Sequence, residues 1–276
     1  MKKTIAFLLA IAILIPAFTG CDEDETDKAP ELPPYESMVI DFSNFSGDAK
    51  ATPDLKTTTN FGWAALTVYF WNVTVGSVIA VPVAAFYTSF NQTPTYLGDK
   101  KWQWSYTVNG FAGAYTARLT GEVRTDDVKW EMYITKIGIG AYPEFKWFEG
   151  TSSLDRNTGQ WTLYHSYQYQ EEVLVIDWLR IDGEFSQITY TYVRELNDNR
   201  VTEDFNGSYL TYGLQTGDYD AYYTVHAYAA SISEFADTYI EWNTTQFYGH
   251  IKADHIYQDT NWHCWDTLGN DVNCTN

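Results

Sequence analysis

The sequence predicts a mainly β protein. It should be an antiparallel meander of about eleven strands, forming a barrel or a strongly curved sheet, with an apolar helical segment near the N-terminus packed against it. Three observations carry this. Aromatic residues make up 17% of the chain and fall in short alternating runs. Turn dipeptides separate many of those runs. One long stretch, Thr57 to Gly98, holds no charged residue at all in a chain of net charge −19.

The leader comes first. Lys2 and Lys3 precede an apolar run from Ile5 to Phe18, which is shorter than the roughly 20 residues a spanning helix needs. A basic start, a short apolar core and small residues before a cleavage point form a secretory signal peptide over 1–20. Phe18-Thr19-Gly20-Cys21 has the form of a bacterial lipobox, which assigns Cys21 as the lipidated new N-terminus. Asp22, Glu23, Asp24 and Glu25 follow at once, and Pro30, Pro33 and Pro34 come soon after. An acidic, proline-rich segment with few large apolar residues is expected to be a disordered linker, here 21–37. The acidic run resembles the surface-export signal of Bacteroidota lipoproteins. That implies an outer-membrane protein, lipid-anchored and facing the cell exterior.

The remaining residues, 38–276, are expected to form a single β-rich domain. Without the leader, 15 basic residues stand against 36 acidic ones, a formal charge of −21. Such a chain does not bind nucleic acid or anionic membrane through charge.

Within the domain, the segment 57–98 is apolar almost throughout. Asn60 is a candidate N-cap, and Pro82 suits the first position of a second helix. Two consecutive buried helices, about 61–81 and 82–91, are therefore expected against the concave side of the sheet. The strands follow. In "KWQWSYTVN" Trp102, Trp104, Tyr106 and Val108 share one face, and in "VKWEMYITK" Trp130, Met132 and Ile134 do the same. Period-two alternation means one buried and one wet face. Further strands are expected near 114–124, 144–150, 160–167, 172–181, 185–195, 208–214, 219–228, 237–243 and 247–253. Asn109-Gly110, Asp182-Gly183 and Asn206-Gly207 are hairpin dipeptides, so neighbours in sequence should be neighbours in the sheet.

The tail 259–276 carries Cys264 and Cys274. In an exported chain an even pair at short spacing reads as a disulfide. Closing that loop contributes about 3 kcal/mol in the chain-entropy view.

No nucleophile elbow, zincin helix, P-loop or dinucleotide fingerprint occurs in the sequence. No catalytic set and no cofactor are therefore assigned. Acids beside tryptophans do recur, at Glu131, Asp177 and Glu241. A glycan hydrolase would need two such carboxylates facing across a sugar, and strand alternation alone produces the same adjacency. The tail also gathers His250, His255 and His263, which offer a metal site of the nitrogen/oxygen type without a compact ligand spacing.

The lipobox, "VPVAAF" (Val81–Phe86), "TPTYLGDKKWQWSY", "VKWEMYIT" and "DTNWHCWD" together resemble a family of Bacteroidota outer-membrane lipoproteins. The resemblance runs over nearly the whole mature chain. It implies an exported, lipid-anchored, mostly β protein, and it carries no activity and no functional residue beyond Cys21 and the tail cysteines. The expected function is a non-enzymatic binding or interaction module whose ligand is a small hydrophobic molecule or a glycan. The alternative is the carboxylate-dependent glycan hydrolase. The expected partner is the outer membrane, through the lipid, with no nucleic acid; the sequence points to no protein partner.

Overall fold

A computed structural model of the 276-residue chain describes residues 28–40, 45, 59–110 and 113–274. Cys21 and the rest of the leader lie outside the described residues. The fold is a single fourteen-stranded antiparallel meander in strict sequence order, β1 to β14, preceded by one long helix. Eleven of the strands are those expected. The three additions are short: β1 (Thr95–Gly98), β13 (His263–Trp265) and β14 (Asp271–Val272). The others are β2 (Lys101–Gly110), β3 (Gly113–Val123), β4 (Asp127–Ile137), β5 (Tyr142–Ser153), β6 (Thr158–Tyr164) and β7 (Glu172–Ile181). They continue with β8 (Glu184–Tyr192), β9 (Tyr209–Leu214), β10 (Ala221–Ala229), β11 (Glu234–Trp242) and β12 (Gly249–Lys252). The β7–β8 hairpin turns on Asp182 and Gly183, both at positive φ (52° and 82°), the geometry a two-residue turn of this kind requires.

The sheet curls without closing, because β1 and β14 do not pair. A helix joins the two ends. α1 (Asn60–Ser89) touches β2 and β3 on one side and β12 and β13 on the other. This is one continuous helix, where two were expected with a break at Pro82. Pro82 instead sits inside the helix and is buried. The packing that runs unbroken from β13 to β2 overrides the local penalty of an interior proline. The cap also differs. Thr59 accepts from the Gly62 N–H at 3.1 Å, while the Asn60 side-chain amide donates to the Cys264 carbonyl at 2.9 Å. Near the other end of α1, the Tyr106 hydroxyl of β2 donates to the Ala85 carbonyl at 2.6 Å. Asn60 therefore fastens one end of the sheet to α1, and Tyr106 fastens the other.

The expected linker 21–37 is described from Lys28 onward, and there it belongs to the fold. Ala29 and Leu32 pack on the core, and a 3-10 turn at Tyr35–Ser37 leads into fully buried Met38. Ser37 accepts from the Trp161 indole N–H at 3.1 Å. The Tyr190 hydroxyl donates to the Met38 carbonyl at 2.8 Å and accepts from the Ile40 N–H at 3.0 Å. Two backbone groups that have left water are satisfied by one phenol.

On the concave face a row crosses five strands in register: Trp102, Gly121, Trp130, Gly150 and Trp161. Indoles alternate with glycines, and the Trp130 and Trp161 rings lie over the bare backbone of Gly121 and Gly150. A Cβ on Gly121 would meet the Trp130 ring at 2.6 Å, and one on Gly150 would meet the Gln160 carbonyl oxygen at 2.2 Å and the Trp161 ring at 2.5 Å.

Gly150→Ala should destabilise the domain by about 1–3 kcal/mol, since backbone as well as a ring must move. Tyr190→Phe should cost about 1–3 kcal/mol for each backbone group it leaves buried and unpaired. Urea unfolding followed by tryptophan fluorescence measures both.

Candidate functional site

The concave side is largely occupied by the chain itself. Met38, Ile40, Phe45, Trp71 and Phe86 are buried there among the inward rings of the sheet. Phe45 lies edge-on to Trp242 at 5.1 Å, and Phe86 meets Trp161 at 5.5 Å. The concave interior is thus packed with side chains where these residues lie.

Space opens at the flank of α1. A cleft of about 350 Å³ lies between the first turns of α1 and the concave faces of β10 and β11. Its origin is a local change of residue size. Along β10 the inward positions are Ala221, Tyr223, Val225, Ala227 and Ala229, and Ala236 stands directly opposite Ala227 on β11. Three small side chains follow one another where the rest of the sheet presents indoles and phenols. Trp63, Phe70 and Trp71 of α1 and Phe205 of the β8–β9 connection form the other wall. Within this wall the Trp71 and Phe205 ring centroids lie 5.2 Å apart.

One polar atom in this apolar cleft is unpartnered. His255, on the single-turn helix α2 (Asp254–Tyr257), lines the cleft, and its Nδ1 is buried with no hydrogen-bond partner. Burial lowers the His255 pKa, against the opposing pull of Asp254 and Asp237, so the ring is neutral at pH 7. The Nδ1 nitrogen is closed off from solvent, so His255 gives the cleft ring surface and not an accessible hydrogen-bonding atom.

The acids expected as an alternative catalytic set do not meet. Glu131, Asp177 and Glu241 sit on β4, β7 and β11, all on the outer face of the sheet. Three strand spacings separate the first two, about 14 Å, and four separate Asp177 from Glu241, about 19 Å. A glycosidase pair needs roughly 5–9.5 Å. Each acid also has a local partner. Glu131 pairs with Lys129 at 3.1 Å, Asp177 accepts from Gln160 at 2.7 Å, and Glu241 meets His250 at 2.8 Å.

The three histidines are likewise divided. His250 is held between the rings of Tyr219 and Trp262, with centroids at 4.1 and 3.8 Å. His263 lies on Tyr257 at 3.7 Å and pairs with Asp259 at 3.0 Å. Since His250 registers with Cys264, the adjacent His263 projects to the other face. Among the described residues no group of three or more His, Cys, Asp or Glu could hold a metal ion. Cys264 and Cys274 are joined as expected, with Cα atoms 5.2 Å apart.

The cleft itself was not read from the sequence. Its one visible trace is the run of alanines in an aromatic-rich strand. No family model, no curated protein and no solved structure matches this chain.

Burial lowers the pKa of both His250 and His255, with the Glu241 hydrogen bond only partly opposing it at His250. The unfolded chain then takes up these protons more readily than the native one. Stability should be complete above about pH 6.5 and fall as the pH drops below it. Urea midpoints between pH 7.5 and 5.5 should show this slope, and His250→Gln with His255→Gln should flatten it.

Proposed function

We propose that this protein is a lipid-anchored outer-membrane lipoprotein facing the cell exterior, and that its domain binds a small hydrophobic molecule without transforming it. The observation that carries the binding role is the cleft beside α1: about 350 Å³, walled by Trp63, Phe70, Trp71 and Phe205. A hollow lined mostly by apolar side chains is the usual make-up of a small-molecule site. A ligand with an apolar body suits it. The lipobox at Cys21, the acidic run behind it and the resemblance to Bacteroidota lipoproteins support the location. The wide separation of Glu131, Asp177 and Glu241 speaks for binding over glycan hydrolysis.

Two measurements test this. Native mass spectrometry of the protein purified from its own host should show a removable extra mass that recurs between preparations. The apo protein should bind the neutral dye N-phenylnaphthylamine, and Ala236→Phe, which fills the hollow, should weaken that binding by about tenfold or more. Dye binding unchanged by Ala236→Phe, in a protein whose near-ultraviolet circular dichroism is native, would remove the cleft from the function. For the anchor, Cys21→Ala should abolish incorporation of labelled palmitate and release the protein from the membrane fraction.

A further inference from the structure

We propose that the exposed face of α1 rests on a lipid bilayer, so that the domain lies against the membrane along this helix. The inference builds on the reading of Cys21 as the lipidated residue and goes beyond it, because an anchor alone leaves the domain's orientation open.

The first ground is charge. An amphipathic surface helix places polar and charged residues on the side away from the core. α1 does not. Its buried side carries Ala64, Val68, Trp71, Val75, Ile79 and Phe86. Its outward side carries Phe70, Val73, Ser77, Ala80, Ala84 and Tyr87, spaced alternately by three and four residues. Phe70, Val73 and Tyr87 are 51, 53 and 58% exposed. The exposed polar residues of the helix are Asn72 and Ser77, and Ser77 turns its hydroxyl back onto the Thr74 carbonyl at 2.8 Å. No charged residue occurs between Thr57 and Gly98, in a chain of net charge −19. Phe90, Tyr96 and Leu97, just past the end of the helix, extend the exposed apolar surface. Water is a poor solvent for such a face, and an acidic body is kept from anionic headgroups everywhere else.

The second ground is where the chain comes in. Tyr35 packs edge-on against Tyr87 at 5.4 Å, so the segment leading from the N-terminus passes the last turns of α1. Cys21 lies seven residues before Lys28, a reach of at most about 25 Å. A lipid on Cys21 therefore keeps Lys28 within that distance of the bilayer; from there the chain passes Arg156 of the β5–β6 turn, which pairs with Glu31 at 2.5 Å, and reaches α1 at Tyr35.

By length and composition α1 could also cross a membrane. Its ties to the sheet at Asn60 and Tyr106 and its buried Trp71 and Phe86 instead fix it lengthwise on the domain. It is then placed to lie in the interfacial plane, where tyrosine and phenylalanine are favoured.

The test uses the mature chain, residues 21–276, with Cys21→Ser, so that no acyl group contributes. This protein should float with uncharged phosphatidylcholine vesicles in a density gradient. Val73→Glu with Tyr87→Glu should reduce binding by about tenfold or more, while Ile181→Glu, an exposed site on β7, should leave it unchanged. Hydrogen exchange on the otherwise unmodified chain reads the contact without these substitutions: vesicles should add protection over 60–97 and not over β4 to β8. The absence of flotation would overturn the proposal, as would flotation indifferent to the α1 pair. So would a dimer that the α1 pair dissociates in a protein that ignores vesicles, since the face would then serve a second copy of the chain. Because the tested chain carries no lipid, failure to acylate Cys21 in the host would remove the anchor and leave this result standing.

Discussion

A sheet of fourteen strands that curls but does not pair its first strand with its last has two free edges and an open seam. Exposed edges invite pairing with other chains, and an open seam lets water reach the concave core. Here both problems meet one solution. α1 lies across the seam, held by the Asn60 amide on the Cys264 carbonyl and by the Tyr106 hydroxyl on the Ala85 carbonyl. The edge strands themselves are short, four residues in β1 and two in β14. The disulfide between Cys264 and Cys274 fixes the chain beside the second edge. Without α1, the inward rings of β2 and Trp265 of β13 would face solvent.

Once the seam is covered, the interior must be filled. Indoles do much of this, and they fit because glycine stands beside them. The row from Trp102 to Trp161 alternates ring and bare backbone across β2 to β6. Further round the sheet the filling changes. Phe45 and the Met38–Ile40 segment enter from the N-terminal side, and Tyr190 holds that segment with both faces of its hydroxyl. At β10 and β11 the inward residues shrink to alanine, and neither the sheet nor α1 makes up the volume. The cleft is the place where this core is left incomplete, and His255 is the polar group left at its wall. The same helix that supplies one wall of the cleft presents Phe70 to the outside, so site and exposed apolar face are continuous.

Much of the sheet was legible because its signals are local. Alternation at Trp102 to Val108 and at Trp130 to Ile134 sorts the inner from the outer face residue by residue. The same rule places Glu131, Asp177 and Glu241 outside, each next to an inward tryptophan, which is why acid–tryptophan adjacency carried little about catalysis. The strands that escaped notice, β1, β13 and β14, are too short to show a period. The cleft escaped for another reason. Alanine at 227 is unremarked in a sequence. It becomes a hollow only when register sets Ala236 opposite and α1 arches over both.

The fold class, the meander order, the disulfide and the uncharged helical stretch are legible along the chain, since each depends on neighbours within a few residues or on a short spacing. Tertiary structure decided the rest. It made one helix of the stretch around Pro82, because a face packed continuously on the sheet outweighs one proline. It moved the cap to Thr59, because Asn60 was needed on the Cys264 carbonyl. It separated the histidines and the acids onto strands that chain distance does not measure. It also left the outward side of α1 largely exposed, with Tyr35 touching Tyr87 and Phe205 touching Phe70 at its margins, which no count of apolar residues reveals, because burial depends on what the fold brings alongside.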